Sequence, residues 1–173
     1  MNELTGPVSS FRILPAGLFR AADGRPTGCQ GWFIDARIAN GLIAEAARRS
    51  NDYVLDYEHQ TMLAEKNGKP APAAGWFKRL EWRDDGLYVM DARWTDTARQ
   101  AILAREYRYV SPVFTFDPVT GHVQRLVNVA ITNHPALDGL TDLAALRRAE
   151  QPGHKSQMAP AGSVIARVFG GAV

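Results

Sequence analysis

The chain has 173 residues with 20 basic and 18 acidic side chains, and this near balance argues against a nucleic-acid or anionic membrane partner. Hydrophobic residues make up 46% of the chain and charged residues 22%, which is typical of a globular protein with one core. The single cysteine, Cys29, excludes an internal disulfide, and no apolar run is long enough to span a membrane. We therefore expect a protein that works in the cytosol.

The first third of the chain predicts short strands around one helix. Apolar residues recur at helical spacing over 37–50, and Asp35 is the predicted N-cap of this helix. Residues 53–58 have a β pattern that continues directly into His59. The charged and then Pro/Gly-rich stretch 62–72 predicts a mobile loop.

A hairpin is predicted in the middle of the chain. Its turn lies at 84–86, where Asp-Asp-Gly provides the backbone freedom of a tight turn. Alternating aromatic and aliphatic residues mark the two arms, 76–82 and 88–94. Thr95 then caps a short predicted helix that runs to Arg105.

The last part of the chain predicts two long strands and a helix. The strands cover 107–116 and 122–132, with a turn at 118–121 between them. A final helix is predicted over 138–148, and a polar linker follows from residue 150.

These elements predict an α+β fold with roughly seven strands and three helices. Antiparallel hairpins dominate the pattern, and a regular βαβα alternation is missing. We therefore expect a mainly antiparallel, barrel-like sheet flanked by about three helices. The expected organisation is one domain over 1–149, with 150–173 as a linker or C-terminal tail.

Ser111 is a candidate nucleophile within the β run 107–116. It is a small hydroxyl residue among large aromatic residues, so it leaves a notch in the surface of the strand. Pro112 has no N–H for a ladder, so we expect the strand to be at an edge, bent or bulged there. Either a core serine on an edge strand or an exposed nucleophile fits this pattern.

A catalytic serine needs a base that takes its proton and a third group that orients the base. His59 and His134 each end a β run, where an imidazole could face a cleft. Ser111 and His59 could supply the first two roles. Alternation along 122–132 leaves Asn128, Thr132 and His134 open as the group that orients His59.

Metal binding is the competing chemistry. Asp56, Glu58 and His59 form a compact cluster of possible ligands. The sequence has no HExxH helix and no cysteine pair, and side chains on a strand diverge. It also has no Gly-rich phosphate loop. We therefore predict neither a metal nor a cofactor.

Five segments, in this order, resemble the Mu-like phage I protein family, the head-maturation proteases of Mu-type phages and prophages. Together they cover about residues 10–146 of the chain. The segments are LPAGLFRAADGRP, VLDYEHQ, AAGWFKRLEWRDDGLYVMDARWTDTA, EYRYVSPVF and LVNVAITNHPALDGL.

The family is similar to tailed-phage prohead proteases and herpesvirus assemblins, which are serine proteases on a β-barrel ringed by helices. This resemblance implies that Ser111 is the nucleophile and His59 the base. Assemblins use a second histidine, which favours His134 as the third member. Many prohead proteases instead carry a carboxylate on the strand after the serine, where this chain has Asn128, and Asp56 also stays open.

The resemblance further implies a serine endopeptidase that cleaves the capsid scaffold and its own C-terminal extension. Scaffold and major capsid protein are the expected partners, and self-association is expected as well. The expected location is the host cytoplasm, inside the prohead. Two alternatives are a non-enzymatic assembly module that binds scaffold through an exposed β edge, and a metal-dependent hydrolase that uses Asp56, Glu58 and His59.

Overall fold

The computed structural model describes residues 6–137 and 139–144, which form ten strands and three helices. The strands are β1 (Phe11–Pro15), β2 (Gly17–Phe19), β3 (Trp32–Ile34), β4 (Tyr53–Tyr57), β5 (Ala73–Phe77), β6 (Leu80–Arg83), β7 (Gly86–Val89), β8 (Arg93–Trp94), β9 (Tyr109–Phe116) and β10 (Val123–Thr132). The helices are α1 (Ala36–Arg48), α2 (Gln60–Asn67) and α3 (Asp96–Leu103).

A five-stranded sheet with the order β8-β5-β4-β10-β9 carries the candidate site. Its strand β10 pairs antiparallel with β9 and parallel with β4. Ala130 of β10 therefore lies opposite Ser111 on one side and opposite Asp56 on the other. Through this one strand, the two predicted catalytic segments are brought into the same sheet.

Two smaller sheets complete the β structure, with the orders β1-β7-β6 and β2-β3. Strands β6 and β7 form the predicted hairpin, with Arg83 opposite Gly86. The predicted first arm of this hairpin began at Trp76, but Trp76 belongs to β5 in the five-stranded sheet. One buried apolar core connects the three sheets with α1 and α3. In this core Trp32 packs edge-on against Phe114, with ring centroids 5.3 Å apart.

The predicted caps of α1 and α3 are confirmed. The Asp35 carboxylate accepts a hydrogen bond from the Ile38 N–H at 2.9 Å. The Thr95 hydroxyl accepts one from the Ala98 N–H at 3.2 Å. Both helices therefore begin where a short polar side chain satisfies an N–H that has no partner within the helix.

The α+β class and the mainly antiparallel pairing are confirmed. None of the three sheets in the described part of the chain closes into a barrel, so the barrel-like expectation is not confirmed. The pairing of β4 with β10 is parallel, which the hairpin-dominated reading of the sequence did not include. None of the described helices is long and apolar enough to cross a membrane.

Helix α2 corrects the predicted loop over 62–72. Its residues Gln60–Asn67 are helical. The helix buries none of its residues, and its sequence accordingly lacks the apolar stripe by which a helix is usually predicted. The strand before it ends at Tyr57 rather than at His59. Of the predicted final helix, 139–144 form turns and irregular structure, while the rest of it and the predicted tail 150–173 lie outside the described residues.

Gly86→Ala should strongly destabilise the protein. Gly86 has a φ of +148°, and a Cβ there would lie 2.1 Å from the Leu14 carbonyl oxygen across the β1–β7 pair. We expect a loss of about 3 kcal/mol in the free energy of unfolding, measured by urea titration. The matched control is Gly41→Ala within α1, where a Cβ meets no atom within 4 Å. That change should stabilise by about 0.5–1 kcal/mol, and equal effects of the two substitutions would contradict the prediction.

Candidate active site

Ser111 lies on the edge strand of the five-stranded sheet, as the following proline led us to expect. The Glu58 N–H donates to the Ile131 carbonyl at 3.1 Å, so Ile131 and, by alternation, Val129 direct their backbone groups toward β4. Pro112 is opposite Val129, and its nitrogen therefore faces away from β10. The proline thus occupies a position where the ladder needs no donor.

His59 reaches Ser111 because the chain turns sharply after β4. Glu58 and His59 have φ values of +53° and +59°, in the left-handed region that L-residues rarely adopt. This turn carries the His59 ring back over the sheet, where its Nε2 lies 3.1 Å from Ser111 Oγ. Both side chains are almost fully buried, with exposed fractions of 6% for His59 and 1% for Ser111. The two residues are 52 positions apart in the chain.

Two hydrogen bonds to β10 hold the left-handed turn. One is the bond from the Glu58 N–H to Ile131, and in the other the Thr132 hydroxyl donates to Glu58 Oε2 at 2.8 Å. Left-handed backbone costs about 1–2 kcal/mol for each non-glycine residue, so such a turn persists only where its surroundings fix it. Strand β10 therefore fixes the position of the histidine as well as that of the serine strand.

A partly buried hydrogen-bond network connects the residues on either side of this turn. Asp56 Oδ2 accepts from both the N–H of Thr61, at 2.8 Å, and its hydroxyl. The Asn128 amide donates to the same Thr61 hydroxyl at 2.8 Å. Asp56 is 0% exposed and Asn128 is 2% exposed. Burial raises the pKa of the Asp56 carboxyl above its ordinary value, while the hydrogen bonds from Thr61 oppose this rise.

The candidates for the third catalytic position occupy different surroundings. The His134 side chain is exposed, and the His134 backbone N–H donates to the Thr132 hydroxyl at 3.0 Å. Asn128 and Asp56 meet at Thr61. The structure therefore brings Ser111 and His59 into direct contact. Of the four candidates, Asp56 and Asn128 meet at Thr61, while the Thr132 hydroxyl donates to Glu58.

The predicted ligand cluster of the metal alternative is divided among separate contacts. Asp56 binds Thr61, Glu58 binds Thr132, and the His59 ring contacts Ser111. Within 6–137 and 139–144, no three His, Cys, Asp or Glu residues are placed so that they could hold a metal ion.

Sequence reasoning missed the role of Thr61 altogether. The available signal was the pair of polar residues, Asn128 and Thr132, within the otherwise apolar run from Leu126 to Thr132. A buried amide or hydroxyl on a strand needs a partner, and this predicts a polar group packed against that face. The partners are Thr61 and Glu58, on either side of His59.

The contact between His59 and Ser111 has the geometry of an activated nucleophile. When Nε2 is unprotonated, the serine hydroxyl can donate to it, and the ring can take the proton as Oγ attacks an electrophile. A distance of 3.1 Å is within hydrogen-bond reach for this transfer. The low exposure of both side chains strengthens the interaction, because little water competes with it.

An open groove of about 800 Å³ is adjacent to the network. Its apolar lining includes Val54, Trp76 and Val127, and the last two are 44% and 36% exposed. Arg49 and Asp52 contribute to its polar lining. Thr61 also lines the groove, so the groove and the network share a residue of the helix that follows His59.

The fold and this site define a domain with a buried serine–histidine pair, in which the serine lies on the edge strand of a mixed sheet and the histidine follows a strand two positions away in that sheet. The chain belongs to the Mu-like prophage I protein family, since the model of that family's N-terminal domain matches residues 11–144. This finding confirms the resemblance seen in the sequence.

Two relatives illustrate the relationship. Protease I of Escherichia phage Mu is 42% identical over 143 residues, which cover 78% of this chain and 39% of that protein. The Mu-like prophage FluMu I protein of Haemophilus influenzae is 39% identical over 165 residues, which cover 90% of this chain and 46% of that protein. The chain therefore spans less than half the length of these curated relatives. No solved structure matches it.

Asp56→Asn should change the pH dependence of stability. The pKa of Asp56 is raised in the folded state, so that state holds the proton more tightly than the unfolded chain does. The wild type therefore loses stability as the pH rises from the unfolded pKa through the folded one. Asparagine has no such proton. We expect the variant to gain stability over the wild type near neutral pH, and to lose this gain toward about pH 4 in urea titrations.

The control is Asp117→Asn, which should have the opposite sign. The Asp117 carboxylate accepts hydrogen bonds from the N–H groups of Val119 and Thr120, and these lower its pKa. The wild-type carboxylate stabilises the fold above its unfolded pKa and loses that contribution as the pH falls. Asp117→Asn should therefore lower stability at neutral pH. A pH-independent difference for Asp56→Asn would contradict the effect of burial on Asp56.

Proposed function

We propose that the chain is the serine endopeptidase domain of a phage head-maturation protease, with Ser111 as nucleophile and His59 as general base. The observation that carries this proposal is the 3.1 Å contact between His59 Nε2 and Ser111 Oγ in a nearly buried environment. The name of the phage Mu relative, Protease I, supports the same class of activity.

In the proposed reaction, Ser111 Oγ attacks the carbonyl carbon of the scissile peptide bond while His59 Nε2 takes its proton. The protonated ring then gives the proton to the leaving amine, and an acyl-enzyme forms on Ser111. Water attacks this ester in the second half of the reaction, with His59 again as base. His134 remains the residue that we predict for the third role, which is to orient the His59 ring.

The proposed substrates are the capsid scaffold protein and a C-terminal extension of the protease itself. The two curated relatives are more than twice as long as the segments that match this chain, which supports a longer protein with a further part beyond the domain. Major capsid protein and a second copy of the chain are further proposed partners. The proposed location is the prohead in the host cytoplasm.

The groove beside Thr61 is proposed to hold an apolar side chain of the substrate. Exposed apolar side chains grouped in a concavity are typical of binding sites, and Trp76 and Val127 form such a group next to Val54. Because Thr61 belongs to both the groove and the network under His59, a peptide in the groove lies beside the helix that follows the base.

Ser111→Ala should abolish covalent labelling by a fluorophosphonate probe, and His59→Ala should slow it by about 10³-fold or more. Peptide cleavage should fall in parallel, because both variants remove the activated nucleophile. Ser10→Ala is the matched control, since Ser10 contacts only Met90 through its hydroxyl among the described residues. Labelling of the wild type at a residue other than Ser111, or no labelling, would contradict the proposal.

Trp76→Ala should raise KM for a cleaved peptide by about fivefold and leave kcat nearly unchanged, because a large apolar contact is lost without a change at the reacting atoms. Leu18→Ala is the control, since Leu18 is 58% exposed but lies on β2 in another sheet. Steady-state kinetics on the same peptide distinguishes the two. An equal response of both variants would remove the groove from the proposed binding site.

A further inference from the structure

We propose that Asp56, Thr61 and Asn128 form a positioning network that sets His59 against Ser111, and that Asp56 acts in it as a neutral hydrogen-bonding group. This inference rests on the proposed function and deepens it. It assigns to Asp56 and Asn128 a role through Thr61, rather than a direct role as the catalytic partner of the histidine ring.

The first argument is the unusual cap of α2. The N-cap residue of this helix is His59, and its side chain makes no capping hydrogen bond. An N-cap side chain normally accepts from an N–H of the first turn. Here Asp56, on β4, accepts from the Thr61 N–H at 2.8 Å instead. Asp56 thus performs the capping, and the His59 ring can turn toward Ser111.

The second argument is that Thr61 connects helix α2 to strands β4 and β10. Its hydroxyl donates to Asp56 on β4 and accepts from the Asn128 amide on β10 at 2.8 Å. Asn128 lies two residues before Ala130, which is opposite Ser111. A short, partly buried path therefore runs from the first turn of α2 to the strand that pairs with the serine strand. Any shift of Thr61 moves the start of the helix that follows His59.

The third argument concerns two oxygens in the network. Asp56 Oδ1 and Asn128 Oδ1 are both buried, and neither has a hydrogen-bond partner in the described part of the protein. The two side chains meet at the same Thr61 hydroxyl. A proton on Asp56 Oδ1 makes that oxygen a donor instead of an unsatisfied acceptor, and it removes the cost of a buried charge. Burial raises the pKa of the Asp56 carboxyl, and this also favours its protonated form.

The test compares three substitutions in the network. Asp56→Asn keeps the acceptor for Thr61 and places an amide where the proton would be, so kcat should stay within about threefold of wild type. Asp56→Ala removes the acceptor that caps α2 through the Thr61 N–H. Thr61→Val keeps this backbone donor and removes the hydroxyl that joins Asp56 to Asn128. Both substitutions should lower kcat by about 10- to 100-fold with KM nearly unchanged, because a small displacement of the base slows the chemical step.

Thr95→Val is the matched control, since Thr95 caps α3 through its hydroxyl and lies outside the network. It should lower stability but not kcat, and all variants are assayed well below their unfolding midpoints. The decisive result is a kcat close to that of the wild type in Asp56→Asn together with a strongly reduced kcat in Asp56→Ala. A loss in Asp56→Asn as large as in His59→Ala would overturn the inference, because a charged carboxylate would then be required. Wild-type kcat in folded Thr61→Val would overturn it as well.

A second measurement does not depend on activity. The titration of the His59 ring, followed by NMR, should have nearly the same midpoint in the wild type and in Asp56→Asn if Asp56 is already neutral. A fall of about one pH unit or more in the variant would show that Asp56 carries a charge near the ring, and would overturn the inference. If the wild type shows neither labelling nor cleavage, the proposed function fails, while this titration still decides the state of Asp56.

Discussion

The pairing of β10 with two different strands is the constraint on which the site depends. Ala130 lies between Ser111 and Asp56, so one strand sets the register of both the serine strand and the strand that leads to His59. A slip of one residue in either pairing would turn the side chains of that strand to the opposite face. Val129 and Ile131 lie on one face of β10 and are fully buried, and this apolar burial fixes the register against such a slip.

The left-handed turn at Glu58 and His59 is unfavourable by itself, and contacts with neighbouring elements stabilise it. Two consecutive left-handed residues, Glu58 and His59, would not persist in an isolated peptide of this sequence. Hydrogen bonds from β10 to Glu58 and the cap that Asp56 provides for α2 make this the stable conformation in the fold. Strain of this kind is a recurring property of functional sites, where surrounding structure positions a side chain that local preference would not place there.

Local signals were sufficient for elements that depend on neighbours in the chain. The caps at Asp35 and Thr95 and the hairpin turn before Gly86 follow from side-chain chemistry within a few residues. The contact of Ser111 with His59 was reached from strand patterns and a family resemblance. Helix α2 was missed because it buries no residue, its N-cap residue is a histidine, and the capping side chain is Asp56 in the preceding strand. The parallel pairing of β4 and β10 joins distant segments and leaves no local signal.

The order of the strands along the chain has a consequence for folding. Strand β4, which leads to His59, and strand β9, which contains Ser111, precede β10 in the chain but lie on either side of it in the sheet. During synthesis both groups are therefore made before the strand that unites them. The pairing of β9 with β10 is local, across a short turn, whereas the pairing of β4 with β10 joins distant segments and forms late, because a long loop must be closed before the contacts can stabilise it. The described geometry of Ser111 and His59 is therefore complete only when β10, the last described strand in the chain, pairs with both β9 and β4.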